Sequence, residues 1–131
     1  MFRRFASASA IASMVIACAV LVVLLTHGLA EQRFFPLTVM WCFAPLAWGL
    51  WAMIAPSAWV PGRLPVWGMI LGLVAGLTAF FVLNLPWRIF EISAPLVWRG
   101  AGVVVIAVFY YLLWMLVRVA YRSLGGPTRA A

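Results

Sequence analysis

The chain has 131 residues, of which 68% are hydrophobic and 8% are charged, and its formal net charge is +7. This composition excludes an ordinary soluble domain, in which charged residues make up roughly a quarter of the chain. The positive charge comes from nine arginines, set against two glutamates. Because no run of four basic residues is present, we predict no nucleic-acid partner and interpret the arginines as membrane-edge residues.

Long uncharged stretches define the predicted architecture. They cover residues 5–30, 34–62, 64–87 and 100–117. A helix of about 20 residues crosses a hydrocarbon core of about 30 Å. The first three stretches are long enough, and the fourth becomes so when it includes 96–98 and the aliphatic stem of Arg118. Continuous apolar runs, rather than alternating ones, favour helices over the strands of a membrane barrel.

We therefore predict an all-α integral membrane protein, built as one domain with four antiparallel transmembrane helices. The predicted spans are 7–27, 36–55, 66–84 and 96–121. The first apolar stretch follows Arg3 and Arg4 and precedes small residues at 28–30, as a signal peptide would. It is long for a signal peptide, so we expect it to remain as the first span.

Small residues recur along the first predicted helix. Ser9, Ser13 and Ala17 are four residues apart, and so are Ala6 and Ala10. This spacing predicts a flat face that another helix can approach closely. The short link that follows predicts an antiparallel hairpin with the second helix.

The second predicted helix carries a central proline and a set of tryptophans. Pro45 predicts a kink near Trp41 and one main-chain carbonyl without its helical partner. Trp41, Trp48 and Trp51 form an aromatic face. Packing within the bundle is the default interpretation of this face, and a lipid tail, a quinone or a second subunit is the alternative.

The third predicted helix contains the most specific packing motif in the chain. Gly68, Gly72 and Gly76 are spaced by four residues, and Ala75 and Ala79 extend the small-residue face. Such a groove lets a second helix pack backbone to backbone. We expect helix 1 or helix 2 of the same chain to occupy it, with a second subunit as the alternative.

The connection between the third and fourth helices is the longest. Aromatic and charged residues alternate over 87–98, which predicts a short helix lying in the outer membrane interface. Asn84 is expected to cap the end of the third helix. The Gly-Gly-Pro sequence at 125–127 is expected to end the fourth.

Arginine counting sets the predicted orientation. One side of the bundle holds Arg3, Arg4, Arg63, Arg118, Arg122 and Arg129, and the other holds Arg33, Arg88, Arg99, Glu31 and Glu91. We therefore predict a bacterial inner-membrane protein with both termini in the cytoplasm. Arg88, Arg99, Arg118 and Arg122 are candidate contacts for lipid head groups, although a purely topological role is the simpler interpretation.

Few residues suit a metal or redox site. Cys18 and Cys42 each lie twelve residues from the predicted hairpin turn and are interpreted as small hydrophobic residues, with a disulfide or a two-thiolate metal site as the alternatives. His27 is the single histidine and is interpreted as a solvated helix end rather than a proton relay or metal ligand. We predict no cofactor and no metal.

Ionisable residues are missing from the middle of every predicted span, which argues against a pump or a coupled transporter. No catalytic constellation is present either. We expect a non-catalytic subunit or accessory factor of a larger membrane complex, in contact with lipids and with another membrane protein or copies of itself. The alternative is a small oligomeric carrier or channel for a lipid-linked or hydrophobic substrate, using Pro45, the tryptophan face, Arg88 and Arg99. A redox enzyme using His27 and the cysteines is the weakest hypothesis.

Overall fold

The computed structural model describes residues 1–26 and 35–125. Every regular element in those residues is helical, which confirms the predicted all-helical class. The elements are α1 (Phe2–Thr26), α2 (Phe35–Met53), a short 3₁₀ turn (Ser57–Trp59), α3 (Leu64–Leu77) with a π-helical turn (Thr78–Val82), α4 (Leu85–Phe90) and α5 (Leu96–Leu124). The first helix begins five residues before its predicted start, and the last extends three residues beyond its predicted end.

Three of these helices are long and apolar enough to cross a membrane: Phe2–Thr26, Leu64–Val82 and Leu96–Leu124. The fourth apolar helix is α2, whose Thr38–Met53 part is shorter than these three. Three membrane-length helices are therefore shown by length and composition, and the fourth span stays a prediction.

The four long helices run antiparallel to the neighbours that they pack against. α1 lies against α2 and α5, and α5 lies along α3. Arg3 near the start of α1 reaches the Tyr121 carbonyl near the end of α5, and Arg4 reaches the Ala55 carbonyl just after α2. Gly68 near the start of α3 meets Trp114 near the end of α5. The two ends of the described chain therefore lie at the same end of the bundle.

The small-residue face of α1 differs from the predicted one. The buried residues are Ser7, Ala8 and Ala12, whereas Ser13 and Ala17 are exposed. Both stripes have helical spacing, so periodicity alone does not choose between them. The choice depends on where α2 and α5 lie, because both helices press on the side of α1 that carries Ala8 and Ala12.

α2 continues as one helix through Pro45. The Ser9 hydroxyl of α1 donates a hydrogen bond of 2.8 Å to the Pro45 carbonyl, so a polar contact joins the two helices at this level. One turn further along, a Cβ placed on Gly49 would lie 2.5 Å from the Phe5 ring. Glycine at this position therefore permits the close approach of α1 to α2.

Left-handed residues bracket α4. Asn84 has a φ of 50° and Glu91 a φ of 56°, so the chain turns sharply on both sides of this short helix. Asn84 ends the π-helical turn through its backbone conformation, as asparagine often does at helix C-termini, and its side chain makes no capping hydrogen bond. The short helix predicted at 87–98 thus begins earlier, at Leu85, and stops at Phe90.

Candidate functional site

The glycine groove of α3 is filled by α5 of the same chain. A Cβ on Gly68 would overlap the Trp114 ring, and one on Gly72 would lie 2.6 Å from Tyr110 Cβ. A Cβ on Gly76 would lie 3.3 Å from the Val103 Cα. The sequence predicted helix 1 or helix 2 in this groove, with a second subunit as the alternative. The groove holds α5 instead, so this face is closed to another protein.

The two alanines added to the glycine motif have other surroundings. Ala75 lines a groove of about 330 Å³ between α2 and α3, and its neighbours there include Ala44 and Ala47 of α2. Ala79 is 8% exposed and packs with Leu85 in a small cluster at the opposite end of the bundle from Arg3. The small-residue face of α3 therefore contacts two neighbours: its glycines pack against α5, and Ala75 lies beside α2.

The predicted tryptophan face is used largely inside the molecule. Trp48 is 4% exposed, and its ring centroid lies 5.2 Å from that of Tyr110 and 5.5 Å from that of Trp114. Trp51 stacks on Trp67 with ring centroids 4.8 Å apart. Packing within the bundle thus accounts for both residues.

Trp41 lines a cavity of about 200 Å³ between α1, α2 and α5. The other lining residues are Ala12, Val15, Ile16, Ala19, Ala44, Trp48, Phe109, Tyr110 and Leu113. A third, more open groove of about 480 Å³ runs between α1 and α5, with walls that include Met14, Val22, Phe109 and Leu116. Both spaces are apolar, so neither offers a wet path for an ion.

Hydroxyl groups within the long helices are directed at main-chain carbonyls. Ser13 donates to the Ser9 carbonyl, Thr26 to Val22 and Thr78 to Val74, each over 2.7 to 2.8 Å. These contacts satisfy the hydroxyls within their own helices. These three hydroxyls therefore take no part in a polar chain across the interior.

The described arginines collect at the end of the bundle where α1 starts and α5 stops. We define the arginine-rich end by its members Arg3, Arg4, Arg63, Arg118 and Arg122. Arg3 Nε donates to the Tyr121 carbonyl over 2.7 Å, and Arg4 Nη1 donates to the Ala55 carbonyl over 3.0 Å. Arg118 Nη1 reaches the Gly62 carbonyl at 3.4 Å, while its Nε is buried and without a described partner.

The other candidate head-group residues have few described contacts. Arg99 donates through Nε to the Ala94 carbonyl over 2.9 Å at the start of α5. Arg88 and Arg122 are exposed on α4 and near the end of α5. Arg88 forms no ion pair with Glu91 among the described residues. Of the four arginines predicted to contact lipid head groups, Arg118 is the one whose side chain reaches a distant part of the chain, at Gly62.

The cysteines do not form a disulfide. Cys18 and Cys42 are both free and exposed, rather than buried as small core residues. In residues 1–26 and 35–125 no group of three or more His, Cys, Asp or Glu side chains is placed to hold a metal ion. His27, Glu31 and Arg33 lie outside the described residues, so their predicted roles stay predictions.

Sequence reasoning missed the partner of the glycine groove. The residues of α5 that face α3 and the core are Val103, Ala107, Tyr110, Trp114 and Val117. Their spacing alternates between four and three, which is the pattern of a helix–helix seam. That pattern was readable in the sequence, but the surrounding residues are equally apolar and hide it.

No protein-family model, curated protein or solved structure matches the chain. Family membership therefore supplies no function, and the chain's own contacts are the basis for one.

Proposed function

We propose that this chain is an integral protein of a bacterial inner membrane and acts as a non-catalytic subunit or accessory factor of a larger membrane complex. One observation carries the proposal. The described charged side chains lie in connections or within the outer two turns of a helix, so the described middle of each long helix holds none. The polar contacts of the described interior include a Trp48–Tyr110 hydrogen bond and hydroxyls bonded to carbonyls. Transport and catalysis in membranes usually need ionisable residues inside the bundle. A packing role needs none.

The groove between α2 and α3 is the surface best suited to a partner helix. α2 and α3 meet through Trp51 and Trp67, and elsewhere leave space between them. Ala44, Ala47 and Ala75 border that space, so a transmembrane helix of a partner protein can approach the backbone closely. The groove between α1 and α5 has a single alanine, Ala19, in its walls and suits a close helix approach less well.

A carrier of a hydrophobic or lipid-linked substrate is the second candidate. The apolar cavity beside Trp41 and Trp48 favours it, because those are residues expected to line the pathway of such a carrier. The cavity has a volume of about 200 Å³. Most small-molecule sites enclose about 300–1,000 Å³. The cavity at the tryptophans expected to line the pathway is thus small for a lipid tail, although the open groove between α1 and α5, of about 480 Å³, reaches this range.

Native mass spectrometry of the complex extracted from its own membrane tests the proposal. We expect the wild-type chain to co-purify with a larger membrane protein. Ala47→Trp places a large ring in the groove between α2 and α3 and should reduce the recovered partner by roughly tenfold, equivalent to about 1.4 kcal/mol of binding free energy. Ala17→Trp is the matched control, because Ala17 is exposed on α1 and lines none of the three spaces described above.

Two results would contradict this assignment. Recovery of homo-oligomers that carry a hydrophobic molecule, without a second protein, would favour the carrier. Equal loss of the partner in Ala47→Trp and Ala17→Trp would show that the groove is not the docking surface.

A further inference from the structure

The arginine-rich end carries positive charge that the described residues do not neutralise. Its five arginines have no carboxylate near them, because Glu91, the one acidic residue in the described ranges, lies beyond α4. The described acceptors of Arg3, Arg4 and Arg118 are main-chain carbonyls. A carbonyl carries no net charge, so these hydrogen bonds leave the positive charges of the three guanidinium groups without a counter-charge among the described residues.

Arg118 uses little of its hydrogen-bonding capacity within the described residues. A guanidinium has five N–H donors. In Arg118 one terminal N–H reaches the Gly62 carbonyl at the long distance of 3.4 Å in an exposed position, whereas the Nε is buried, has no described acceptor and is out of reach of a ligand. The terminal N–H groups are therefore the donors that an anion at the surface can use.

Arg3 is held close to the same face of α5. Its guanidinium carbon lies 3.8 Å from the centroid of the Tyr121 ring, and its Nε is bonded to the Tyr121 carbonyl. Arg118 and Tyr121 are three residues apart on α5, so their side chains are neighbours on one helix face. Two guanidinium groups from different helices therefore flank the last turns of α5.

We propose that this end of the bundle binds the phosphate group of an anionic phospholipid, with Arg118 as its principal donor and Arg3 as the second. The planar guanidinium fork matches the geometry of a phosphate. The apolar helices α1 and α5 extend directly away from the site, so lipid tails can lie along them. The proposal goes beyond the accessory function and requires no partner protein.

Lipid retention by the purified full chain tests this site. The protein is placed in nanodiscs containing equal amounts of phosphatidylglycerol and phosphatidylcholine, and the lipids that stay bound on release are counted by native mass spectrometry. We expect Arg118→Gln to lower the retained ratio of phosphatidylglycerol to phosphatidylcholine by roughly tenfold. Arg118→Lys should fall between, because lysine keeps the charge but loses the fork.

Arg63→Gln is the matched control. Arg63 lies at the same end of the bundle, is exposed and is neither of the two proposed donors. Its replacement removes the same charge, so the ratio should change by about twofold or less. Arg3→Gln provides a second variant if Arg118→Gln does not fold by circular dichroism, and it should also lower the ratio.

Three outcomes would overturn the proposal. An unchanged ratio in folded Arg118→Gln and Arg3→Gln would show that these arginines serve only to join helices. Equal losses in Arg118→Gln and Arg63→Gln would indicate general surface charge rather than a site. Inorganic phosphate that displaces phosphatidylglycerol at equal concentration would assign the site to free anions.

Discussion

At the scale of single residues, the contact between α3 and α5 depends on pairing large rings with glycines. Trp114 lies over Gly68 and Tyr110 over Gly72, so each ring occupies the space that a side chain would take. Within lipid there is no hydrophobic driving force between helices, and dispersion contacts of this kind hold them together. The absence of a Cβ at these glycines is therefore what permits the observed separation.

Alanine substitutions at the glycines of α3 should differ in how much they lower the free energy of unfolding. We expect Gly68→Ala to lower the free energy of unfolding by about 1–3 kcal/mol, because the added methyl overlaps the Trp114 ring. Gly76→Ala should have a smaller effect, since its neighbour Val103 lies 3.3 Å away. Reversible unfolding in mixed detergent micelles measures both values.

Gly100→Ala serves as the control for these variants. Gly100 lies in α5 with no atom within 4 Å of an added Cβ. Alanine should leave stability unchanged or raise it by up to about 1 kcal/mol through helix propensity. If Gly76→Ala cost more than Gly68→Ala, the described packing of α5 on α3 would be incorrect.

At the scale of helices, α2 is joined to α3 by one aromatic pair. Trp51 Nε1 donates to the Trp67 carbonyl over 3.0 Å, and Trp67 Nε1 donates to the Trp51 carbonyl over 2.8 Å. The two rings are stacked at an interplanar angle of 18°. This reciprocal arrangement satisfies both indole N–H groups and sets the distance between the two helices at the end where their connection lies.

Removing one indole N–H should weaken that join. Trp51→Phe keeps an aromatic ring but loses the donor to the Trp67 carbonyl, so stability should fall by about 1 kcal/mol. Unfolding in micelles, followed by tryptophan fluorescence, gives the value. The same change at Trp98, which is 70% exposed and has no described side-chain partner, should have little effect. Equal effects at both positions would contradict a specific role for the pair.

At the scale of the whole molecule, both described ends of the chain meet at the arginine-rich end. Arg3 contacts Tyr121, and its Nη2 lies against Gly125 at the end of α5. Arginines favour the cytoplasmic side of a bacterial inner membrane. The contact and the charge distribution together support the proposal that both termini are cytoplasmic.

Reporter fusions test this orientation. A fluorescent protein that matures only in the cytoplasm should be active at either terminus, and alkaline phosphatase should be inactive at both. A fusion placed in the connection after α4 should give the opposite pattern. Active phosphatase at one terminus alone would require an odd number of crossings and would contradict the predicted four-span topology.

The apolar runs of the sequence were enough to predict an all-helical chain. A peptide chain without water must pair its backbone groups within itself, so the long uncharged stretches determine helices near 2–26, 64–82 and 96–124. The residues at which the helices begin and end were predicted less well. The early start of α4 depends on a local turn at the left-handed Asn84, which hydropathy does not report.

The partners of each helix were decided only by the tertiary structure. The glycine spacing of α3 indicated a close contact, but α1, α2 and α5 are all apolar and small-residue faces occur on more than one of them. Choosing α5 requires the shapes of Trp114 and Tyr110 to match Gly68 and Gly72, a three-dimensional property. The same holds for Arg118, because a charge is visible in the sequence but its unpaired, buried Nε depends on how α5 lies against the segment around Gly62.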